Sequence, residues 1–233
     1  MLEASYDISY WFLGHIGTTT LRCETGKGRY RIEAEARLDG IAAVLAHHHT
    51  ERHISTGRIG PDRQLIPERY DVITTRDGYR KEKHYVFDRR HHRILLRQRV
   101  EHMVNKRRFD ALQMRHVSAK KPETLTSRSI EPYRAQDDLL TLYFNAGKVL
   151  RQLPPQTGHI LYAAGAEEGR VKIIRNNESF TFSVFLNQEI FRSHKGELQI
   201  ETDRNLYVKR AVLKDVFLFG DLKVERAWLR QSP

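Results

Sequence analysis

Twelve histidines stand in 233 residues, and three of them, His47, His49 and His53, have a spacing that chemistry can use. In an extended chain alternate side chains share a face, so a strand over 47–54 puts His47, His49, Glu51 and His53 on one side. Neighbours in that row lie about 6–7 Å apart, within reach of a shared zinc ion, with His84 or His102 as a further ligand from another strand. This predicts a candidate metal site at His47, His49 and His53, and one reading of the protein as a metal-dependent enzyme. The single cysteine, Cys23, excludes an intramolecular disulfide and a cysteine-based zinc site. It lies inside an alternating stretch, which predicts a small buried or half-buried thiol. Asp137 and Asp138 are adjacent carboxylates, but a helix start accounts for them better than acid–base catalysis. No Gly-x-Ser-x-Gly elbow, P-loop, Rossmann glycine fingerprint or His-Glu-x-x-His is present, so no catalytic residue and no cofactor is assigned.

The second chemical signal is charge. Lys and Arg number 40 against 29 Asp and Glu, a formal charge of +11. Residues 79–121 hold fourteen basic and four acidic side chains, so this stretch alone carries +10. A turn at Asp88–His91 makes it a hairpin, on which Arg93, Arg97 and Arg99 share one parity and Lys81, Lys83, Tyr79 and Tyr85 share another. A directional cationic band attracts phosphates and carboxylates. Lys81, Lys83, Arg93, Arg97 and Arg99 are therefore the candidate ligand-binding residues. The candidate partners are an anionic lipid, an acidic glycan or an envelope protein. The band lacks the interleaved exposed aromatics of a single-strand binder and any helix-turn-helix, zinc-finger or RNP-like motif, which argues against nucleic acid.

The elements that must position these groups are strands. In 29–38, Tyr30, Ile32, Ala34, Ala36 and Leu38 alternate with Arg29, Arg31, Glu33, Glu35 and Arg37, the pattern of a strand with one wet face. Tyr6, Ile8, Tyr10 and Phe12 repeat it, as do Ile94, Leu96, Val100 and Val104. Further strands are predicted near 157–164, 170–175, 179–188, 196–203, 206–216 and 220–229, separated by turn residues such as Gly26-Lys-Gly28, Asp77-Gly78 and Gly220-Asp221. Gly40–Ala46 reads as a helical turn. Asp137–Gly147 reads as a helix capped by Asp137, with Leu139, Leu142, Tyr143 and Ala146 as its apolar stripe. Residues 117–136 read as irregular: a mobile lid, a long crossover or one extra strand around Leu125. Together these predict a mainly β, antiparallel single domain over 1–233 with one or two short helices. Tyr6, Ile8, Tyr30, Ile32, Ile94, Leu96, Phe180 and Phe182 are its predicted core. The 22 aromatic residues argue against global disorder, and no apolar run approaches the ~18 residues of a transmembrane helix.

Several stretches resemble a family of exported Gram-negative proteins catalogued as domain of unknown function 3108. They are Tyr6-Asp-Ile-Ser-Tyr10, Leu13-Gly-His-Ile-Gly17, Tyr30–Arg37 followed by Gly40, Ser55-Thr-Gly57 with Pro67 and Tyr70, Asp137–Tyr143, and Lys209–Asp215 with Phe219-Gly-Asp221. The resemblance implies a strongly curved sheet, a barrel or half-barrel like those of periplasmic lipoprotein carriers, and no established activity. The chain opens without an apolar leader region, which reads as a mature or trimmed periplasmic protein, with a cytoplasmic one as the alternative. The functional expectation is a non-enzymatic envelope protein that binds or carries an amphipathic anionic lipid or glycan. The alternatives are a structural module in envelope assembly and the metal enzyme named above.

Overall fold

The computed structural model describes residues 1–10, 13–110, 115–176, 180–185, 196–216 and 220–232, with 106–110 and 115–119 described through their backbone. Eight strands form a meander: β1 (Leu2–Tyr10), β2 (Gly14–Gly26), β3 (Arg29–Leu38), β4 (Thr50–Ile59), β5 (Leu65–Arg76), β6 (Tyr79–Asp88), β7 (Arg93–Asp110) and β8 (Arg115–Pro132). Seven more follow: β9 (Asp137–Asp138), β10 (Gly158–Ala164), β11 (Arg170–Arg175), β12 (Thr181–Phe185), β13 (Glu197–Thr202), β14 (Val208–Val216) and β15 (Gly220–Gln231). β1 pairs with β15, so both runs join in one open sheet, ordered β8-β7-β6-β5-β4-β3-β2-β1-β15-β14-β13-β12-β11-β10-β9. Its pairings are antiparallel apart from β9 with β10.

The alternation read from the sequence is the burial pattern of the strands. Leu2, Ala4, Tyr6, Ile8 and Tyr10 are buried along β1, and Tyr30 and Ile32 along β3. Ile94 and Phe182 are nearly inaccessible, while Leu96 and Phe180 are half-buried. Each large aliphatic or aromatic side chain removed from water in this way contributes about 1.5–3 kcal/mol. Phe12 lies outside the described residues.

Three short helices accompany the sheet: α1 (Gly40–Leu45), α2 (Leu139–Asn145) and α3 (Gly147–Gln152). The cap of α2 is Asp138, one residue later than expected. Its carboxylate accepts from the Leu140 and Thr141 amides, and the Asp138 amide donates in return to the Thr141 hydroxyl. This is a capping box, which satisfies donors that a buried helix start would otherwise leave unpaired. Gly147, expected as a terminator, opens α3 directly after α2.

Helix α2 touches β3, β4 and β5 on one arm of the sheet and β9 and β10 on the other. β5 and β10 are ten positions apart in the sheet order. In a flat sheet they would lie about 48 Å apart, several times the width of a helix. The sheet is therefore not flat, and α2 fills the space between its arms. Leu142 and Ala146 pack with Val171, Ile173 and Phe182, while Leu140 and Phe144 join Tyr30, Ile32 and Leu65.

Two sequence expectations change. Residues 117–136, read as irregular with one extra strand around Leu125 among the options, are mostly β8, an 18-residue edge strand. Its described stretch from Thr124 to Ile130 is exposed on both faces, so it carries no alternation. The strand expected from His47 begins at Thr50, because His47 and His48 take left-handed φ of 55° and 53° in the turn after α1.

Gly165 follows β10 at φ +91°, and a Cβ there would sit 2.6 Å from the buried Tyr70 ring. Left-handed strain and overpacking then act together. We expect Gly165→Ala to cost about 3 kcal/mol, read as a lower urea midpoint at an unchanged slope.

Candidate functional site

Register divides the cationic band between two faces. On β6, Lys81 and Lys83 face Val100 and Gln98 of β7 and share parity with buried Tyr85 and Phe87, so they belong to the face that looks towards α2. Arg97 and Arg99 lie opposite His84 and Glu82 on the outer face. Arg93 closes the β6–β7 turn against Asp88 at 2.8 Å, and Arg99 pairs with Glu101 at 2.5 Å. Tyr85 is buried and offers no stacking surface. Of the five candidate residues, Arg97 is the one that lines a groove.

That groove encloses about 580 Å³ on the outer face of β5–β8. Two cross-strand rows build it. One is Arg69, Val86, Leu95 and Ile130; the next is Asp71, His84, Arg97 and Arg128. Val86 and Ile130 are 44 % and 64 % exposed, an apolar strip along a cationic one. Asp71 accepts from Arg69 at 2.9 Å and pairs with His84 Nδ1 at 2.7 Å. Arg97 and Arg128 face each other directly, and neither makes an ion pair among the described residues. Like charges opposite one another on a sheet oppose folding, so this pair is a standing cost to the unliganded protein. An oxyanion between the two guanidinium forks would cancel it.

The inner face carries a different polar cluster. On β4, Glu51, His53 and Ser55 share a face, and Glu51 and Ser55 are buried. His53 meets Glu51 through Nε2 at 2.5 Å and the Tyr70 hydroxyl through Nδ1 at 2.6 Å. In the neutral tautomer that donates to Glu51, Nδ1 accepts a hydrogen bond from the Tyr70 hydroxyl. His49 Nε2 stands 3.8 Å from the second Glu51 oxygen, an ion pair when His49 is protonated. Ser55 donates to Asp138 at 2.6 Å and shares a 3.1 Å hydrogen bond with Tyr30. The relay ends on fully buried Tyr70, and that end orients side chains inside the fold.

The expected histidine row is thus split. His47 is exposed in its turn, while His49 and His53 flank Glu51. Among the described residues no three His, Cys, Asp or Glu side chains are grouped as a metal ion would need. Cys23 is buried, and burial pushes its thiol up to about 11, away from nucleophilic chemistry.

Arg69, Arg128 and the apolar strip were absent from the sequence-based site. The two-residue Asp77-Gly78 turn held the signal for Val86 and Arg69, since it fixes the β5–β6 register. Arg128 lies in the stretch without alternation. No family model, curated protein or solved structure matches the chain.

Two buried carboxylates of the inner face, Glu51 and Asp138, respond to acid in opposite directions. Burial would raise Glu51, but His49 and His53 outweigh it and hold the group at about 2. It contributes stability that is present above its unfolded value and lost as pH falls through 2. Burial raises Asp138 to about 6 despite the Ser55 and backbone bonds, and Asp137 is raised with it. Asp138 therefore contributes stability present below about pH 4 and lost as pH rises through 6. We expect unfolding free energy to decline by about 3 kcal/mol between pH 4 and 6. Asp138→Asn, which keeps a capping oxygen, should flatten that decline in denaturant titrations across the range.

Proposed function

We propose that the protein is a non-enzymatic carrier or binding protein for an amphipathic anion of the cell envelope, held in the outer groove. The facing, unpaired Arg97 and Arg128 beside the Val86, Leu95 and Ile130 strip carry this reading. A phosphate or carboxylate sits between the two forks, and the hydrocarbon lies along the aliphatic row. Helix α2 supports this choice of face, because its side chains already occupy the space between the arms. In this reading the sheet curves round α2 as a half-barrel, and the periplasm is the compartment in which such a lipid or glycan is met. The resemblance to exported Gram-negative proteins agrees with that setting.

Each guanidinium–oxyanion contact contributes about 1.5–3 kcal/mol. Arg97→Ala and Arg128→Ala should each lower affinity for a short-chain phosphatidylglycerol by about tenfold to a hundredfold, measured by calorimetry. Arg128→Thr should also raise stability without ligand by about 0.2–1 kcal/mol at low salt, because it removes a like-charge pair. Native mass spectrometry of protein taken from envelope extract should show an anionic, acyl-bearing adduct that the double alanine variant lacks. A double variant that binds phosphatidylglycerol as the parent does would end the proposal.

A further inference from the structure

One end of the sheet combines exposed aliphatic side chains with a cationic ribbon. In α1, Ile41, Val44 and Leu45 are 69 %, 63 % and 59 % exposed, and Ala43 is its buried residue. Positions three and four apart share a helix face, so the three form an apolar knob turned away from the sheet. The turn after α1 is fixed to the β5–β6 turn: the Asp77 amide donates to the His47 carbonyl at 2.8 Å, and His48 pairs with Asp77 at 3.0 Å. The β5–β6 turn in turn holds the next hairpin, since the Met103 amide donates to the Gly78 carbonyl at 3.0 Å.

From Met103 the hairpin leaves the sheet. β6 ends with Tyr79 opposite His102, whereas β7 and β8 stay paired from Met103 with Pro122 to Asp110 with Arg115. These eight pairs extend about 26 Å as a two-stranded ribbon. Residues 103–122 contain Lys106, Arg107, Arg108, Arg115, Lys120 and Lys121 against one acid, Asp110. A ribbon of two strands is marginal alone. Of the other carboxylates at this end, Asp7, Asp39 and Asp77 each lie within 4.0 Å of a histidine, His15 or His48, while Glu101 pairs with Arg99 and Glu123 stands opposite His102 at the foot of the ribbon.

We propose that this end docks on an anionic lipid surface, with the α1 knob entering the acyl boundary and the ribbon lying on the head groups. Aliphatic side chains gain from hydrocarbon and find no comparable face on a nucleic acid. Basic residues add attraction to anionic head groups that salt screens. Docking of this end is separate from ligand capture in the groove and gives the molecule a way to reach a membrane.

Flotation of the full chain with phosphatidylcholine vesicles, and with phosphatidylcholine–phosphatidylglycerol vesicles, tests it. The protein should float with the anionic vesicles alone and release at high salt. A triple variant, Ile41→Ser, Val44→Ser and Leu45→Ser, should lower vesicle partition by about tenfold. Reversal of Lys106, Arg107 and Arg108 to Glu should lower it by about a hundredfold. Should the ribbon variant unfold, the α1 variant decides, because its three side chains are already exposed. Both variants should still bind soluble short-chain phosphatidylglycerol in the groove, so docking and capture can fail separately. No flotation of the parent, equal flotation with both vesicles, variants that float as the parent does, or a preference for a duplex oligonucleotide would each overturn the proposal.

Discussion

The fold turns on one buried carboxylate. Asp138 is inaccessible to solvent, and its oxygens accept from Ser55 of β4 and from the first turn of α2. The same residue belongs to β9, which pairs with β10 at the far end of the sheet order. A single side chain thus ties one arm, the other arm and the helix between them. A meander with neighbour-only pairing needs such a tie, since its hydrogen bonds fix neither how far it bends nor what covers its apolar face. Arg89 acts beside it. Its guanidinium reaches the Tyr133 hydroxyl and the Pro67 and Gln136 carbonyls, which holds the passage from β8 to β9 against β5.

The tie has a cost, because an ionised group without solvent is unfavourable unless donors surround it. Ser55, Leu140 and Thr141 supply those donors but do not fully replace water, and the carboxyl stays raised. Glu51 shows the opposite balance on the same face: two imidazoles outweigh its burial. Both groups stand on, or directly over, the alternate residues of β4 that run from Glu51 through His53 to Ser55. One strand therefore carries the polar skeleton of an interior that is otherwise aliphatic and aromatic.

Strands with one wet face were legible in the sequence, and Tyr30 and Ile32 against Arg29 and Arg31 show why: burial writes itself as period two. β8 was legible only as one option around Leu125, because an edge strand exposed on both faces has nothing to alternate. The histidine row failed for a local reason, since left-handed φ at His47 and His48 lets the chain return from α1 and delays β4 to Thr50. The groove needed more than pattern. Arg69, Val86, Leu95 and Ile130 come from four strands, and they align only through the register of three hairpins. A band of cations in one dimension thereby becomes two populations, with Lys81 and Lys83 inward and Arg97 and Arg99 outward.

That division decides which charges are free to bind. Arg93 and Arg99 are answered by Asp88 and Glu101, and a surface ion pair leaves little attraction for a third party. Arg97 and Arg128 repel one another across the β7–β8 ladder, with His84 on the other flank of Arg97. A sheet could relieve this with one acidic residue at position 128, as it does with Glu82 opposite Arg99. In the proposed reading, an anion entering the groove would gain both its own contacts and the relief of that repulsion. In the neighbouring row the Arg69 guanidinium is already paired with Asp71, and Val86, Leu95 and Ile130 offer such an anion only hydrocarbon contact. An occupant that satisfies both rows is charged at one side and apolar along the other.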